Sequence, residues 1–157
     1  MPMSTPLLAA LLLVLPLGAL AGGAGGFTPL DRQQAAALMQ PAQYREPTLI
    51  ALWSSECAYC QQNLQVLARL QRQHPEVRII TLAVEAPGPE LARLYQRSGL
   101  RGVHYAYTDP VPESLNSAVD KNWGGELPRS YLFKQQEARG AVSGRLEVKA
   151  VEAAWGR

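Results

Sequence analysis

Cys57 and Cys60 are the residues of this chain whose type and spacing most directly indicate chemistry. They are the only cysteines among the 157 residues, and Ala58 and Tyr59 separate them. A Cys-x-x-Cys pair at the start of a helix, within a strand–helix–strand pattern, is typical of a dithiol that cycles between two thiols and a disulfide. We therefore predict that both cysteines are catalytic. The redox group is then the Cys57–Cys60 disulfide itself, and we expect no other cofactor and no metal.

The positions of the two cysteines predict different roles for them. An unbroken apolar run over residues 48–53 predicts a buried strand, and a helix should then extend from Cys57 to about residue 73. Cys57 lies at the helix start, where free backbone N–H groups and the helix dipole stabilise a thiolate. Cys60 lies one turn later, on the apolar stripe of the helix. We expect Cys57 to attack a partner and Cys60 to resolve the mixed disulfide.

Three other interpretations of the pair remain open. A structural zinc site needs four ligands, and the chain adds only His74 and His104, whose spacing matches no common zinc motif. An inert structural disulfide across so short a loop would add little stability. A reduced pair without function is the third interpretation. Spacing favours redox chemistry over all three.

Composition limits the class of protein and its partners. The chain has the length of one domain, with 47% apolar residues, 18% charged residues and a net charge of +2. It can therefore build a hydrophobic core. Its Lys and Arg residues are dispersed rather than clustered, which argues against a nucleic-acid partner. We expect a monomer.

Residues 1–21 have the pattern of a secretory signal peptide. Residues 7–20 are almost entirely apolar, no charged side chain precedes Asp31, and Ala19-Leu20-Ala21 fits the cleavage pattern. We predict cleavage after Ala21 and a periplasmic or otherwise exported protein, in a compartment where disulfides persist. The segment has no Lys or Arg before its apolar run, so an uncleaved membrane anchor is the alternative. That run is shorter than the roughly 20 residues of a spanning helix.

The remaining pattern predicts a layered α/β domain. A helix over residues 30–40 is capped by Asp31, and further helices are predicted over residues 90–97, 113–121 and 148–155. Strands are predicted over residues 77–84, 103–107, 127–134 and 141–146, with residues 135–140 as the loop of a closing hairpin. This order favours three layers, a mixed central sheet with helices on both faces.

Two features besides the cysteines carry a resemblance to a known family. Trp53 precedes Cys57 by four residues, and Pro128 ends the run Gly124-Gly125-Glu126-Leu127-Pro128 before an apolar strand. With the Cys-x-x-Cys helix, they make the chain resemble thioredoxin-fold proteins, in particular the exported TlpA/ResA/DsbE-like thiol–disulfide oxidoreductases. The resemblance covers about residues 46–146. Together with the signal-peptide pattern of residues 1–21, it divides the chain into that signal peptide, a flexible lead and N-terminal helix over 22–45, and a thioredoxin-like domain over 46–157.

The resemblance also implies a substrate-binding surface around the dithiol. In this family the proline is cis and packs against the dithiol, and the preceding residue pairs its backbone with the substrate chain. We expect these roles for Pro128 and Leu127. Trp53 is expected to pack beneath the dithiol, and Tyr59, between the cysteines, to contact the partner.

The sequence departs from the family where an acid usually assists the second cysteine. Thioredoxin's buried acid corresponds to Ala51 here, and the acid that many TlpA-like proteins place three residues after the second cysteine is Asn63. No carboxylate at either position can help to deprotonate Cys60. The sequence alone therefore leaves the proton transfer at Cys60 unassigned.

Two charged residues that flank the predicted site are expected to tune it. Glu56 precedes Cys57, and a carboxylate there would raise the pKa of the Cys57 thiol. Arg129 replaces the family's threonine after the proline, and would favour an anionic Cys57 or an acidic partner.

The resemblance implies an enzyme, a thiol–disulfide oxidoreductase of the protein-disulfide reductase or isomerase type. Its expected substrates are exported proteins that contain cysteines, and a membrane or periplasmic redox partner would recycle it. A reductant is favoured, serving cytochrome c maturation or thiol repair. The alternative is a non-catalytic thioredoxin-fold module that helps to assemble an envelope or secretion complex, for example one for conjugal transfer.

Overall fold

A computed structural model describes residues 26–108 and 112–156 of the chain. The predicted signal peptide, residues 1–21, lies outside the described residues. None of the helices in the described ranges is long and apolar enough to cross a membrane.

A six-stranded mixed sheet forms the centre of the molecule. Its strands are β1 (Thr28–Leu30), β2 (Thr48–Trp53), β3 (Arg78–Ala83), β4 (His104–Tyr107), β5 (Arg129–Lys134) and β6 (Glu137–Ser143). The strand order is β1-β4-β3-β2-β5-β6. The first four strands in this order run parallel, whereas β5 is antiparallel to β2 and β6 is antiparallel to β5. The mixed sheet predicted from the sequence is therefore confirmed.

Helices cover both faces of this sheet. They are α1 (Arg32–Leu38), α2 (Ala58–Gln73), α3 (Pro89–Ser98), α4 (Pro112–Val119) and α5 (Val148–Ala154). One core cluster joins the sheet to α2, α3 and α5, and a second cluster joins the opposite face to α1 and α4. The predicted three-layer α/β architecture is confirmed.

The central strand β2 contributes to both cores because successive side chains of a strand point to opposite faces. Leu49, Ala51 and Trp53 belong to the cluster beneath α2, whereas Ile50 and Leu52 belong to the cluster beneath α1 and α4. All six residues of β2 are buried. This explains why the strand appears in the sequence as an unbroken apolar run rather than an alternating one.

Helix α2 has the bounds that its sequence pattern predicts. Its apolar residues recur at spacings of three and four, and Leu64, Leu67 and Leu70 are buried against the sheet. The helix ends at Gln73, and the N–H of the capping residue His74 donates to the Leu70 carbonyl at 2.8 Å. Pro75 follows, and helical geometry is disfavoured before a proline.

The structure revises the predicted division of the chain at residue 46. Strand β1 pairs with β4 at the edge of the sheet, and Phe27 is completely buried in the core beneath α2. Helix α1 packs over the opposite face, with Asp31 and Gln34 forming the capping box at its start. Residues 27–38 are thus part of the same layered domain rather than a lead to it.

The closing hairpin is shorter than predicted. The loop expected over residues 135–140 is a two-residue turn, Gln135 and Gln136, both with positive φ. Strand β6 begins at Glu137 and is largely exposed, so it lacks the apolar alternation that would have identified it. Two-residue hairpin turns usually contain Asn or Gly, and the Gln-Gln pair gave no such indication.

Candidate active site

Cys57 and Cys60 are joined by a disulfide at the start of α2, with their Cα atoms 5.1 Å apart. Cys57 is the N-cap residue of the helix, and its Sγ accepts a hydrogen bond from the Cys60 N–H at 3.1 Å. Cys57 is half-buried, whereas Cys60 is only 1% exposed. The two sulfurs therefore differ in access to a partner, in the direction that the sequence predicts.

A short turn connects β2 to Cys57, and contacts with neighbouring elements hold it. The Cys57 N–H donates to the Ser54 carbonyl at 3.3 Å, and Gln61 Nε2 donates to the Ser55 carbonyl at 3.0 Å. The Ser55 N–H and hydroxyl both donate to the Glu85 carboxylate, the hydroxyl at 2.9 Å. Sequence analysis did not identify Glu85, although its place after the strand parallel to β2 was the available clue.

Trp53 is buried in the core, whereas Tyr59 is exposed to solvent. Trp53 is 1% exposed and shares its core cluster with Cys60, and Cys57 packs against that cluster. Its indole N–H has no hydrogen-bond partner among the described residues. Tyr59 is 56% exposed, as its expected contact with a partner requires. Glu56 is also exposed and precedes Cys57 directly.

The segment before β5 contains the two residues expected to bind a substrate chain. The Leu127–Pro128 peptide bond is cis. Pro128 is buried, and its carbonyl accepts a hydrogen bond from the Gly144 N–H at 2.8 Å. Leu127 is half-buried and packs against the core cluster that contains Trp53 and Cys60. The structure thus places this segment and the dithiol against one shared core.

Asn63 links α2 to the same segment through Gly144. It is 4% exposed, and its Nδ2 donates to the Gly144 carbonyl at 2.9 Å. Its Oδ1 accepts from the Leu146 N–H at 3.0 Å. Because Gly144 also contacts Pro128, one buried amide connects the dithiol helix to the cis-proline segment. An amide fits here because it donates on one side and accepts on the other, which an ionised carboxylate cannot do.

Arg129 is surrounded by its own partners. Its guanidinium donates to Ser143 Oγ at 2.7 Å and lies 3.4 Å from a carboxylate oxygen of Asp120 and 3.8 Å from one of Glu126. It also lies over the ring of Tyr131, 5.1 Å from its centroid. From the sequence, the positive charge of Arg129 was expected to favour an anionic Cys57 or an acidic partner. In the structure, two carboxylates already offset that charge.

Asp120 is the acid at the centre of this cluster. Burial opposes its ionisation, but hydrogen bonds from the Asn122 N–H and the Tyr131 hydroxyl, together with Arg129, outweigh burial and lower the pKa of the carboxyl. The same surroundings raise the pKa of Tyr131 to about 12, mainly through burial. At neutral pH Asp120 is charged and Tyr131 carries its proton, so the hydroxyl donates to the carboxylate at 3.0 Å.

The described part of the chain offers no ligand set for the structural zinc site considered above. Those residues contain no group of three or more His, Cys, Asp or Glu side chains that could hold a metal ion. His104 stacks on Tyr95, with 4.2 Å between ring centroids. His74 lies 3.1 Å from the Glu152 carboxylate at the other end of α2 from the cysteines.

Comparison with known proteins identifies the fold. No protein-family model and no curated protein sequence matches the chain. Among solved structures, a secreted disulfide oxidoreductase of Mycobacterium tuberculosis, homologous to DsbE of E. coli, is 12% identical with a TM-score of 0.58. That match covers 76% of this chain and 84% of the other. StoA from Bacillus subtilis is 15% identical with a TM-score of 0.54, over 71% of this chain and 84% of that one.

A third neighbour matches over a longer part of the chain. A thioredoxin-like protein in its oxidised form is 15% identical, with a TM-score of 0.60, and the match covers 90% of this chain and 93% of that one. These identities are low, so the likeness concerns the fold, and at that level it agrees with the resemblance read from the sequence. The chain has a thioredoxin-like fold of the kind found in thiol–disulfide oxidoreductases, and it carries a Cys57–Cys60 disulfide at the start of α2.

Proposed function

We propose that this protein is an exported thiol–disulfide oxidoreductase that acts on cysteines of other proteins. The observation that carries the proposal is the asymmetry of the disulfide, a half-exposed Cys57 at the helix start and a buried Cys60 behind it. An accessible sulfur that a helix N-terminus stabilises as a thiolate is suited to attack a partner. A shielded sulfur one turn later is suited to release that partner.

The exchange proceeds in two steps when the dithiol acts as a reductant. The Cys57 thiolate attacks one sulfur of the partner's disulfide, so a Cys57–partner bond forms and the partner's own S–S bond breaks. The leaving partner thiolate takes a proton from solvent. Cys60 then loses its proton and attacks the Cys57 sulfur, which closes the internal disulfide and releases the second partner thiolate. The partner gains two electrons and two protons, which the Cys57–Cys60 dithiol loses.

We favour the reductant direction, with cytochrome c maturation or thiol repair as its setting. The support is the resemblance to TlpA/ResA/DsbE-like proteins and the carboxylate of Glu56 beside Cys57, which disfavours a thiolate. A dithiol donor, membrane-bound or periplasmic, must then reduce the disulfide after each turnover. The balance is sensitive, because about 30 mV corresponds to ~1.4 kcal/mol for a two-electron couple.

Export is part of the proposal, with a cysteine-containing exported protein as the substrate. Its support is the signal-peptide pattern of residues 1–21 and the single Cys-x-x-Cys pair, which needs no other cofactor. The Mycobacterium tuberculosis protein of similar fold is itself a secreted protein.

The trapping of mixed disulfides tests the roles of the two cysteines. A Cys60→Ser variant keeps the attacking thiol but lacks the resolving thiol, so it should accumulate partners linked through Cys57. Cys57→Ser should trap few partners, because its remaining thiol is buried. Both are compared with the double variant on non-reducing gels of the exported fraction. If Cys57→Ser traps partners and Cys60→Ser does not, the proposed roles are wrong.

A non-catalytic assembly module is the second candidate, and the presence of an amide rather than an acid at position 63 favours it. The position at which many relatives carry an acid is occupied here by an amide whose hydrogen bonds go to Gly144 and Leu146. Incubation of the protein with glutathione buffers of defined ratio separates the candidates. A dithiol that fails to equilibrate with glutathione and does not reduce a model peptide disulfide would support the module.

A further inference from the structure

Glu85 is an acid at the active-site turn that the proposed exchange does not use. It lies just beyond β3, and the carboxyl ends of parallel neighbouring strands meet at one edge of a sheet. The β2–β3 pairing extends to Trp53 and Ala83, and the Val84 N–H then donates to the Trp53 carbonyl at 2.9 Å. The next residue, Glu85, is thereby placed beside the turn that leads to Cys57.

The Glu85 carboxylate holds Ser55 from one side of this turn. One carboxylate oxygen accepts from the Ser55 N–H, and the other accepts from the Ser55 hydroxyl at 2.9 Å. From the other side, Gln61 on α2 donates to the Ser55 carbonyl at 3.0 Å. Every polar group of Ser55 therefore has a partner, and Ser55 is two residues from Cys57.

Within the part of the chain that the structure describes, the charge of Glu85 is not offset by an ion pair with a cation. No Lys, Arg or His of residues 26–108 and 112–156 forms an ion pair with it. Glu90, five residues further on, is by contrast paired with Arg93. Glu85 is also half-buried, so water screens its charge less than that of an exposed carboxylate. A negative charge in this position opposes a second one on the Cys57 sulfur.

We propose that Glu85 is a positioning residue that fixes the active-site turn and, through its charge, shifts the Cys57–Cys60 dithiol toward reductant behaviour. The inference rests on the proposed oxidoreductase function and deepens it. Groups that stabilise the thiolate stabilise the reduced form and make a dithiol more oxidising. A carboxylate near Cys57 has the opposite effect. The Glu85 charge thus supplies a structural reason for the reductant direction favoured above.

The test removes the charge and keeps the hydrogen bonds. In Glu85→Gln, the amide oxygen can still accept from the Ser55 N–H and the amide nitrogen can donate to the Ser55 hydroxyl. In the reduced full-length protein at pH 6, iodoacetamide should alkylate Cys57 about threefold faster than in the wild type. At pH 8.5, the equilibrium with glutathione should shift toward the dithiol by a similar factor or more.

Two further variants separate the charge from the geometry. Glu90→Gln removes a nearby exposed carboxylate that is already paired, and both measurements should stay at the wild-type values. Ser55→Ala removes one hydrogen bond but keeps the carboxylate, and alkylation should not accelerate. If Ser55→Ala and Glu85→Gln accelerate alkylation equally, a loosened turn explains the effect and the charge role is overturned. Unchanged rates and equilibria in Glu85→Gln would overturn it as well.

The oxidoreductase function and the role of Glu85 can be disproved separately. If the wild-type disulfide does not equilibrate with glutathione, the oxidoreductase function fails, and the alkylation rates still report on Glu85. If the wild type equilibrates normally and Glu85→Gln behaves identically in both measurements, only the inference about Glu85 fails.

Discussion

Two regions support the dithiol, and they differ in how they use polar groups. On the turn side, the Glu85 carboxylate holds Ser55 and brings a charge that has no cationic partner among the described residues. On the proline side, Asn63, Gly144 and Pro128 are joined by neutral hydrogen bonds. We infer that this division of roles follows from the difference: the turn side tunes the chemistry of Cys57, and the proline side fixes the geometry around it.

Charged groups near the proline side fit this division because they offset one another. Arg129 lies between Asp120 and Glu126, and Tyr131 donates to Asp120. One guanidinium faces two carboxylates, so the excess negative charge of the cluster lies with Glu126, which is exposed and therefore screened by water. Changes on the proline side should therefore alter stability while leaving the equilibrium with glutathione nearly unchanged, the reverse of the expectation for Glu85→Gln.

The largest effect on stability is expected from Asn63. Asn63→Ala leaves the Gly144 carbonyl and the Leu146 N–H without their partner in a buried site. We expect the free energy of unfolding to fall by about 2–3 kcal/mol, since each lost partner costs about 1–3 kcal/mol and water can recover part of it. Urea denaturation measures the loss. The division proposed above would break if the glutathione equilibrium moved as much as in Glu85→Gln.

An Asn63→Asp variant adds a pH dependence to the same test. The protonated acid can donate to the Gly144 carbonyl and accept from the Leu146 N–H, whereas the ionised form faces that carbonyl without a proton. Burial and the carbonyl raise the folded-state pKa of the new carboxyl above its unfolded value of about 3.9. The variant should therefore be most stable below about pH 4 and lose stability as the pH rises through the folded-state pKa. An Asn63→Asp variant that is equally stable at pH 4 and pH 7, relative to the wild type, would contradict the assigned hydrogen bonds.

A smaller effect is expected at Gly144, which has a φ of +85°. A Cβ there would meet no heavy atom within 4 Å, so the cost of Gly144→Ala comes from the left-handed backbone alone, about 1 kcal/mol. Gly144→Asn should cost less, because Asn tolerates this conformation better than Ala. In thermal unfolding, the wild type should be the most stable of the three proteins, Gly144→Asn intermediate and Gly144→Ala the least stable. Equal stability of Gly144→Ala and the wild type would show that the Gly144–Pro128 contact does not hold the backbone in place.

The parts of this structure that the sequence predicts are those with a strong local pattern. Strand β2 and helix α2 were located correctly because their apolar residues are contiguous in one and spaced by three and four in the other. Strand β1 was missed because it has only three residues, includes a proline, and pairs on one side only. No local pattern in the sequence marks so short an edge strand.

The site shows the same limit. The cysteines and Pro128 are recognisable from spacing and family resemblance, whereas the role of Glu85 depends on two parallel strands ending side by side. The partners of Asn63 lie more than 80 residues away along the chain. Sequence analysis identified Asn63 as the place of a missing acid, and only the fold shows which hydrogen bonds an amide makes there.

The smallest effect is expected for Asp120, whose ion pair with Arg129 is about one-fifth exposed. Because its folded-state pKa is lowered, Asp120 contributes stability above its unfolded value of about 3.9 and loses it as the pH falls through the folded-state pKa. Asp120→Asn should therefore cost about 0.5 kcal/mol at pH 7, and the difference from the wild type should shrink below pH 4. Glu46→Gln, which changes an exposed carboxylate, is the matched control, and urea denaturation at pH 3 and pH 7 makes the comparison. In Asp120→Asn, Arg129 is left with Glu126 as its only carboxylate partner among the described residues. If the dithiol of this variant became markedly more oxidising, the proline side would also tune the chemistry of Cys57. The division between the two regions would then not hold.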